Sequence, residues 1–235
     1  MRHLPNALTL ANLFCGCCAL LYIFHDRLEW AAWFTAACFA FDYLDGMAAR
    51  ALRVSSPLGK ELDSLADMVS FGVVPGALFY QMLALSFSNG AGVEWRALPA
   101  FLLTAFSALR LAKFNLDTRQ AHYFIGLSTP ACTVFALGLA LGIWHNRFDI
   151  AGFALNPWLL YGAVGLLSWL LVSEVPMFGM KIKKLDWASN RFLLLFLVLF
   201  ALFVISLKEL ALSAIIVCYI LFSVFFKQKI TASAT

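Results

Sequence analysis

Four aspartates crowd into one stretch of an otherwise apolar chain, and any fold of this sequence has to accommodate them. The stretch, residues 41–67, reads FDYLDGMAARALRVSSPLGKELDSLAD and holds Asp42, Asp45, Asp63 and Asp67. The chain around it is 63% hydrophobic and 13% charged, against about 25% charged in a soluble domain. A helical residue turns about 100° around the axis. Asp42, Asp45 and Ala49 therefore share one face, with Gly46 and Arg50 beside it, and Asp63 and Asp67 share another. A break at Ser55-Ser56-Pro57-Leu58-Gly59 lets the two helices fold back, so that two carboxylate pairs meet across a seam.

Charge limits what that seam can be. A charged side chain near the bilayer centre costs about 2.5–3.5 kcal/mol even on insertion scales, and like charges a few ångströms apart repel. One or two divalent cations resolve both problems. Oxygen donors alone, with no His or Cys in the stretch, select Mg²⁺, Mn²⁺ or Ca²⁺ over zinc. Two ions held by aspartates from two helices suit phosphoryl transfer, where they neutralise phosphate and orient the attacking and leaving oxygens. A divalent-cation transporter also lines its path with intramembrane aspartates. It needs no glycine and arginine at fixed spacing, however, and both are present here.

Composition makes the chain of 235 residues an integral membrane protein, expected as one domain over 1–235 with an all-α, polytopic helix bundle. Net charge of +4 is too small to indicate nucleic acid and fits an anionic membrane surface. The six cysteines all lie in apolar runs, and Cys15-x2-Cys18 has no second pair or His cluster with it, so they read as small buried thiols. The first apolar run follows Met1-Arg2-His3 without a clear cleavage site and is expected to stay as the first membrane helix.

A spanning helix needs about 20 mostly apolar residues. Spans are expected near 8–24, 30–52, 60–87, 97–114, 129–144 and 157–175. The long run 191–226 is split by Lys208-Glu209 into two more, for about eight transmembrane helices. Eight spans put both termini on one side. The other side keeps only Arg27, Arg96, Arg147 and Lys208 of the 17 lysines and arginines. The positive-inside rule then places the termini and the aspartate loop in the cytoplasm of a multi-pass protein of the cell membrane.

The residues Asp42-x2-Asp45-Gly46-x2-Ala49-Arg50-x8-Gly59-x3-Asp63-x3-Asp67 match every fixed position and both spacers of a known signature. They resemble the CDP-alcohol phosphatidyltransferase family, whose members move a phosphatidyl or similar group from a CDP-linked lipid to an alcohol and release CMP. The resemblance implies a divalent cofactor, Mg²⁺ or Mn²⁺ and as a pair, on Asp42, Asp45, Asp63 and Asp67. It makes Asp67 the group that takes the proton of the attacking hydroxyl. Gly46, Ala49, Arg50 and the loop residue Ser56 fall on the CDP-diacylglycerol side. A homodimer through membrane helices is also implied.

Three further stretches bear on substrate. Asn6, Thr9 and Asn12 form a polar stripe at the start of the first helix; they serve either as caps and interhelical hydrogen bonds or, for Asn6 and Thr9, as the family's Asn-x2-Thr contact to the CDP-lipid. Arg110, Lys113 and Asn115 lie at the cytoplasmic end of the fourth helix, where charge commonly snorkels to the membrane edge. With Gly126-Leu127-Ser128-Thr129-Pro130, that segment is similar to the phosphatidylserine synthase branch, although Lys113 and Ser128 replace the usual Arg and Pro. The resemblance then implies L-serine as acceptor, met by Arg110 or Lys113, with glycerol-3-phosphate and inositol as rivals. The basic segment Met180-Lys181-Ile182-Lys183-Lys184-Leu185-Asp186-Trp187 reads as an anchor on anionic membrane lipids. His3, His25, His122 and His145 have no ligand-like spacing.

Overall fold

The computed structural model describes residues 3–54, 56–87, 92–116, 124–177 and 201–225. They form an all-α bundle of the kind a polytopic membrane protein uses. Four of its helices are long and apolar enough to cross a bilayer: Leu4–Phe24, Pro57–Ser86, Trp95–Leu116 and Ala201–Phe225.

The first two helices, α1 (Leu4–Phe24) and α2 (Leu28–Leu52), make an antiparallel hairpin. Its tight turn sets Asp26 at φ +54°. At its far end α2 stops on Arg53, held left-handed at φ +51°. The Arg53 N–H donates to the Arg50 carbonyl at 3.2 Å and the Val54 N–H to the Ala49 carbonyl at 3.1 Å. This paired closure satisfies the last carbonyls of the helix. Ser56 then caps α3 (Pro57–Asp67), accepting the Gly59 N–H at 3.0 Å, with Pro57 in the first turn. The break expected between the two halves of the acidic stretch is thus a C-cap followed at once by an N-cap.

Beyond Asp67 the helix does not end. It widens into a π-helical segment, Met68–Val73, and continues as α4 (Val74–Ser86). A π segment leaves carbonyls off the regular α ladder and often marks a functional site. Here neighbouring hydroxyls take them up: Thr133 donates to the Phe71 carbonyl at 3.2 Å and Thr104 to the Gly72 carbonyl at 3.0 Å. The chain returns through a 3₁₀ turn (Trp95–Phe101) into α5 (Leu102–Leu116). Helix α6 (Thr129–Trp144), the short α7 (Ala151–Ala154) and α8 (Pro157–Val172) follow.

Through Val172 the expected spans and the helices agree in order and nearly in limits. The sixth helix stops short of the expected Val175 because 173–177 turns to pair with the segment before α6. The Gly126 N–H donates to the Val175 carbonyl and the Leu127 N–H to the Leu170 carbonyl, both at 2.9 Å. Two-residue strands β1 (Phe124–Ile125) and β2 (Pro176–Met177) run antiparallel beside them. Gly126 has φ +73°, and a Cβ there would stand 2.9 Å from the carbonyl oxygens of Leu171 and Ser173.

The last apolar run loses its α-helical form at the residues where a split is expected. Helix α9 (residues 201–207) gives way at Lys208, φ +52°, to a 3₁₀ turn and then α10 (Ala211–Phe225). Glu209 in that turn is held by Arg147 through two 3.0 Å hydrogen bonds. The start of the seventh span and the basic segment 180–187 lie outside the described residues.

The main core gathers Ile23, Leu78, Phe79, Leu83, Leu103 and Leu171. A second, smaller cluster of Cys15, Cys38 and Phe71 lies apart from it. Between α1 and the π segment the approach is close: a Cβ at Gly16 would lie 2.8 Å from Ser70 Oγ. A Gly16→Val variant is therefore expected to lose about 1–3 kcal/mol of stability through overpacking, read as a lower thermal unfolding midpoint in detergent.

Candidate metal centre and its surroundings

The two hairpin turns bring the acidic stretch together. From α2 comes Asp42 and from α3 come Asp63 and Asp67, and one carboxylate oxygen of each lies within 4.8 Å of the others. All three are half-buried. Among the described residues, none of these aspartates has a lysine, arginine or histidine in ion-pair range. The set fits a divalent cation on its own chemistry. It is hard oxygen, it is anionic, and metal–oxygen distances of about 2.0–2.6 Å let one ion touch all three atoms.

Asp45 belongs to the same seam but is held differently. It is buried, and the Thr9 hydroxyl, which also lies 3.0 Å from the Pro5 carbonyl, donates to its Oδ2 at 2.6 Å. One turn along α1, Asn12 is fully buried, and its amide nitrogen lies 3.4 Å from Asp67 Oδ1. Ser70 Oγ donates to Asn12 Oδ1 at 2.7 Å. Helix α1 thus reaches one aspartate on each side of the seam.

Residues expected near CDP-diacylglycerol adjoin one another in two places. A Cβ at Gly59 would lie 3.1 Å from Ser56 Oγ and 3.2 Å from Asn6 Oδ1, so the start of α1 and the cap of α3 adjoin. Ser56 Oγ accepts from Gly59 as a cap, and its own proton remains free to donate. Arg50, exposed in the last turn of α2, folds over Gly46: a Cβ at Gly46 would stand 3.5 Å from a guanidinium nitrogen. Ala49 is half-buried beside it.

The three residues expected around the acceptor are not placed alike. Arg110 is buried at 8% exposure, with Nη1 3.5 Å from Thr129 Oγ1 and its Nε without a partner. Lys113 is exposed. Asn115 ties α5 to α3: its amide donates to Ser64 Oγ at 2.8 Å, and its carbonyl accepts from Lys60 Nζ at 3.1 Å.

Reading the sequence assigned no site role to Asn12 or Ser70. A signal for them existed. Ser70 follows Asp63 and Asp67 at the next same-face position of the helix, and Asn12 extends the Asn6–Thr9 stripe by one turn.

The profile of the CDP-alcohol phosphatidyltransferase family matches residues 2–172. A Helicobacter pylori (strain J99) protein named CDP-diacylglycerol–serine O-phosphatidyltransferase is 32% identical over 224 residues, covering 94% of this chain and 89% of the relative. A Bacillus subtilis protein of the same name is 35% identical over 175 residues, covering 74% and 89%. One from Saccharomyces cerevisiae is 34% identical over 154 residues, covering 59% and 53%.

Replacing Asp42 or Asp63 by Asn removes a charged oxygen donor while keeping its shape. Each variant is expected to bind Mn²⁺ more weakly by at least about 10-fold, measured by calorimetric titration of the purified protein in detergent.

Proposed function

The chain belongs to the CDP-alcohol phosphatidyltransferase family, and from that premise we propose that it transfers the phosphatidyl group of CDP-diacylglycerol to L-serine, giving phosphatidylserine and CMP. Two bacterial relatives, each covered over 89% of its length, carry the name of that reaction, and these names favour serine over glycerol-3-phosphate or inositol. The observation that supports the chemistry is the convergence of Asp42, Asp63 and Asp67 from two helices at one end of a membrane bundle.

In this reading Asp42, Asp45, Asp63 and Asp67 hold two divalent ions, Mg²⁺ or Mn²⁺. Bound there, the ions supply charge neutralisation for the pyrophosphate and a fixed geometry for in-line displacement. The chain's own residues do the rest. Gly46 has no side chain to keep the nucleotide from the α2 backbone, with Ala49 one turn on. Arg50 beside it offers planar paired donors to a phosphate. Ser56 and Asn6 line the nucleotide side. Thr9 stands with them and fixes Asp45. The serine hydroxyl attacks the lipid-bearing β-phosphorus, and Asp67 takes the hydroxyl proton. The bond from that phosphorus to the bridging oxygen breaks, and the oxygen leaves with CMP.

Arg110 is the group for the serine carboxylate, since a buried guanidinium with an unpartnered nitrogen favours an anion. Lys113 and Asn115 flank that pocket at the membrane edge, where Asn115 also holds α3 in place. The protein sits in the cell membrane with this end of the bundle in the cytoplasm, a reading supported by the lysine and arginine distribution. A homodimer through membrane helices completes it and rests on the family alone. One catalytic domain spans residues 1–235.

The test is CMP release from CDP-diacylglycerol by the purified protein with Mg²⁺ or Mn²⁺. Release should require serine; release with glycerol-3-phosphate and not with serine overturns the acceptor. In the same assay Asp67→Asn is expected to lose about 10²–10⁴-fold in kcat while still binding CDP-diacylglycerol. Arg110→Ala is expected to raise KM for serine by about 10-fold or more, the loss of a charge-assisted hydrogen bond, with KM for the lipid little changed.

A further inference from the structure

The π segment after Asp67 and the polar stripe of α1 meet at a place the reaction above does not use. Asn12 is fully buried there, and all of its polar atoms near the seam are engaged. Its backbone carbonyl lies 3.4 Å from Cys38 Sγ, which donates to it, and 3.3 Å from Ser70 Oγ. Its side-chain oxygen lies 2.7 Å from Ser70 Oγ, and its side-chain nitrogen 3.4 Å from Asp67 Oδ1.

The chemistry of the partners fixes which way this amide points. With its oxygen toward Asp67, two acceptors would face each other in a buried site. With its nitrogen toward Asp67, the amide donates to the carboxylate and its oxygen is left to take a proton. Ser70 is the donor available: it too has 0% exposure, and its hydroxyl is the shortest contact Asn12 makes.

Ser70 is in turn fixed by its backbone. It lies inside the π segment, whose Phe71 and Gly72 carbonyls are taken by Thr133 of α6 and Thr104 of α5. The close approach at Gly16 presses α1 against the same residue. Three helices therefore hold the hydroxyl that sets the amide that faces the carboxylate.

We infer that Asn12 and Ser70 are positioning residues for Asp67: Ser70 locks the Asn12 amide in one orientation, and Asn12 holds one oxygen of Asp67 so that the carboxylate presents the other in a constant direction. This inference rests on the assignment of Asp67 as the acceptor of the serine proton. Proton transfer in such a step depends on geometry before anything else, and a hydrogen bond to one oxygen narrows the directions in which the other can meet the hydroxyl. Thr9 does the corresponding work for Asp45 one turn earlier, so α1 acts as a template for both halves of the seam.

Ser70 acts only through Asn12, and that dependence is what the experiment reads. CMP release is measured for Asn12→Ala, Ser70→Ala, the double variant and Asp67→Asn, with thermal unfolding midpoints alongside. Asn12→Ala is expected to lower kcat by on the order of 10–100-fold, with KM for CDP-diacylglycerol and for serine within about 2-fold of the parent. Ser70→Ala should move kcat the same way by less, and the double variant should be no slower than Asn12→Ala alone. The inference falls if kcat survives in both single variants, if the two losses multiply in the double variant, or if KM for the lipid rises in place of the fall in kcat. Asp67→Asn separates the two levels. Retained turnover there removes the assignment of Asp67 itself; lost turnover there with intact Asn12→Ala and Ser70→Ala removes only the positioning role. Should Asn12→Ala prove unfolded, Ser70→Ala, which deletes a single hydroxyl, decides by its effect on kcat and KM.

Discussion

Mutual repulsion among carboxylates gathered in a membrane bundle is the constraint from which the rest of this structure follows. Asp42, Asp63 and Asp67 come within one ion's reach of each other, with no basic side chain in ion-pair range among the described residues. In a medium of low polarity that arrangement is unfavourable by several kcal/mol unless positive charge enters it. A bundle that keeps such a cluster has traded stability for a place where a cation and a pyrophosphate together complete the charge balance. Packing of the main hydrophobic core supplies the stability that the acidic cluster lacks.

Holding repelling groups in place takes rigid supports, and the site has them on every side. A C-cap at Arg53 ends one acidic helix and an N-cap at Ser56 starts the other. Behind Asp67 the helix widens, and hydroxyls from α5 and α6 donate to the Gly72 and Phe71 carbonyls of the widened segment. Helix α1 contributes side chains rather than charge: Thr9 to Asp45, Asn12 to Asp67. Neutral donors suit that task. A lysine or arginine in their place would neutralise the cluster and compete with the cation it is built to hold.

Much of this was legible in the residues. A helical period of about 3.6 is enough to put Asp42 with Asp45 and Asp63 with Asp67, and Ser-Ser-Pro between them is enough to break the helix. Runs of apolar residues located the first six helices to within a few positions, because burial in lipid demands length and apolarity and little else. The break at Lys208 was visible for the same reason: two charged residues interrupt an apolar run. Less legible were the uses of neutral polar residues. Asn115, expected at the acceptor pocket, also ties α5 to α3 through Ser64 and Lys60, which its spacing does not reveal. Ser70 continues the face of Asp63 and Asp67, but a neutral hydroxyl in an apolar helix does not show from sequence which group it serves.

Local chemistry and spacing in the chain thus settled which residues are acidic neighbours, which segments are helical and where the chain turns, because those depend on interactions within a few residues. Contacts between distant segments were decided only in three dimensions. Thr9 and Asp45 are 36 residues apart, and Asn12 and Ser70 are 58 apart. No periodicity links them; a glycine at position 16 that lets two helices close, and a π turn that shifts the register of one of them, do. Pro75 removes the N–H that the Phe71 carbonyl would take in an α-helix, a local effect; that the hydroxyl of Thr133, 62 residues away, takes it instead is decided by packing.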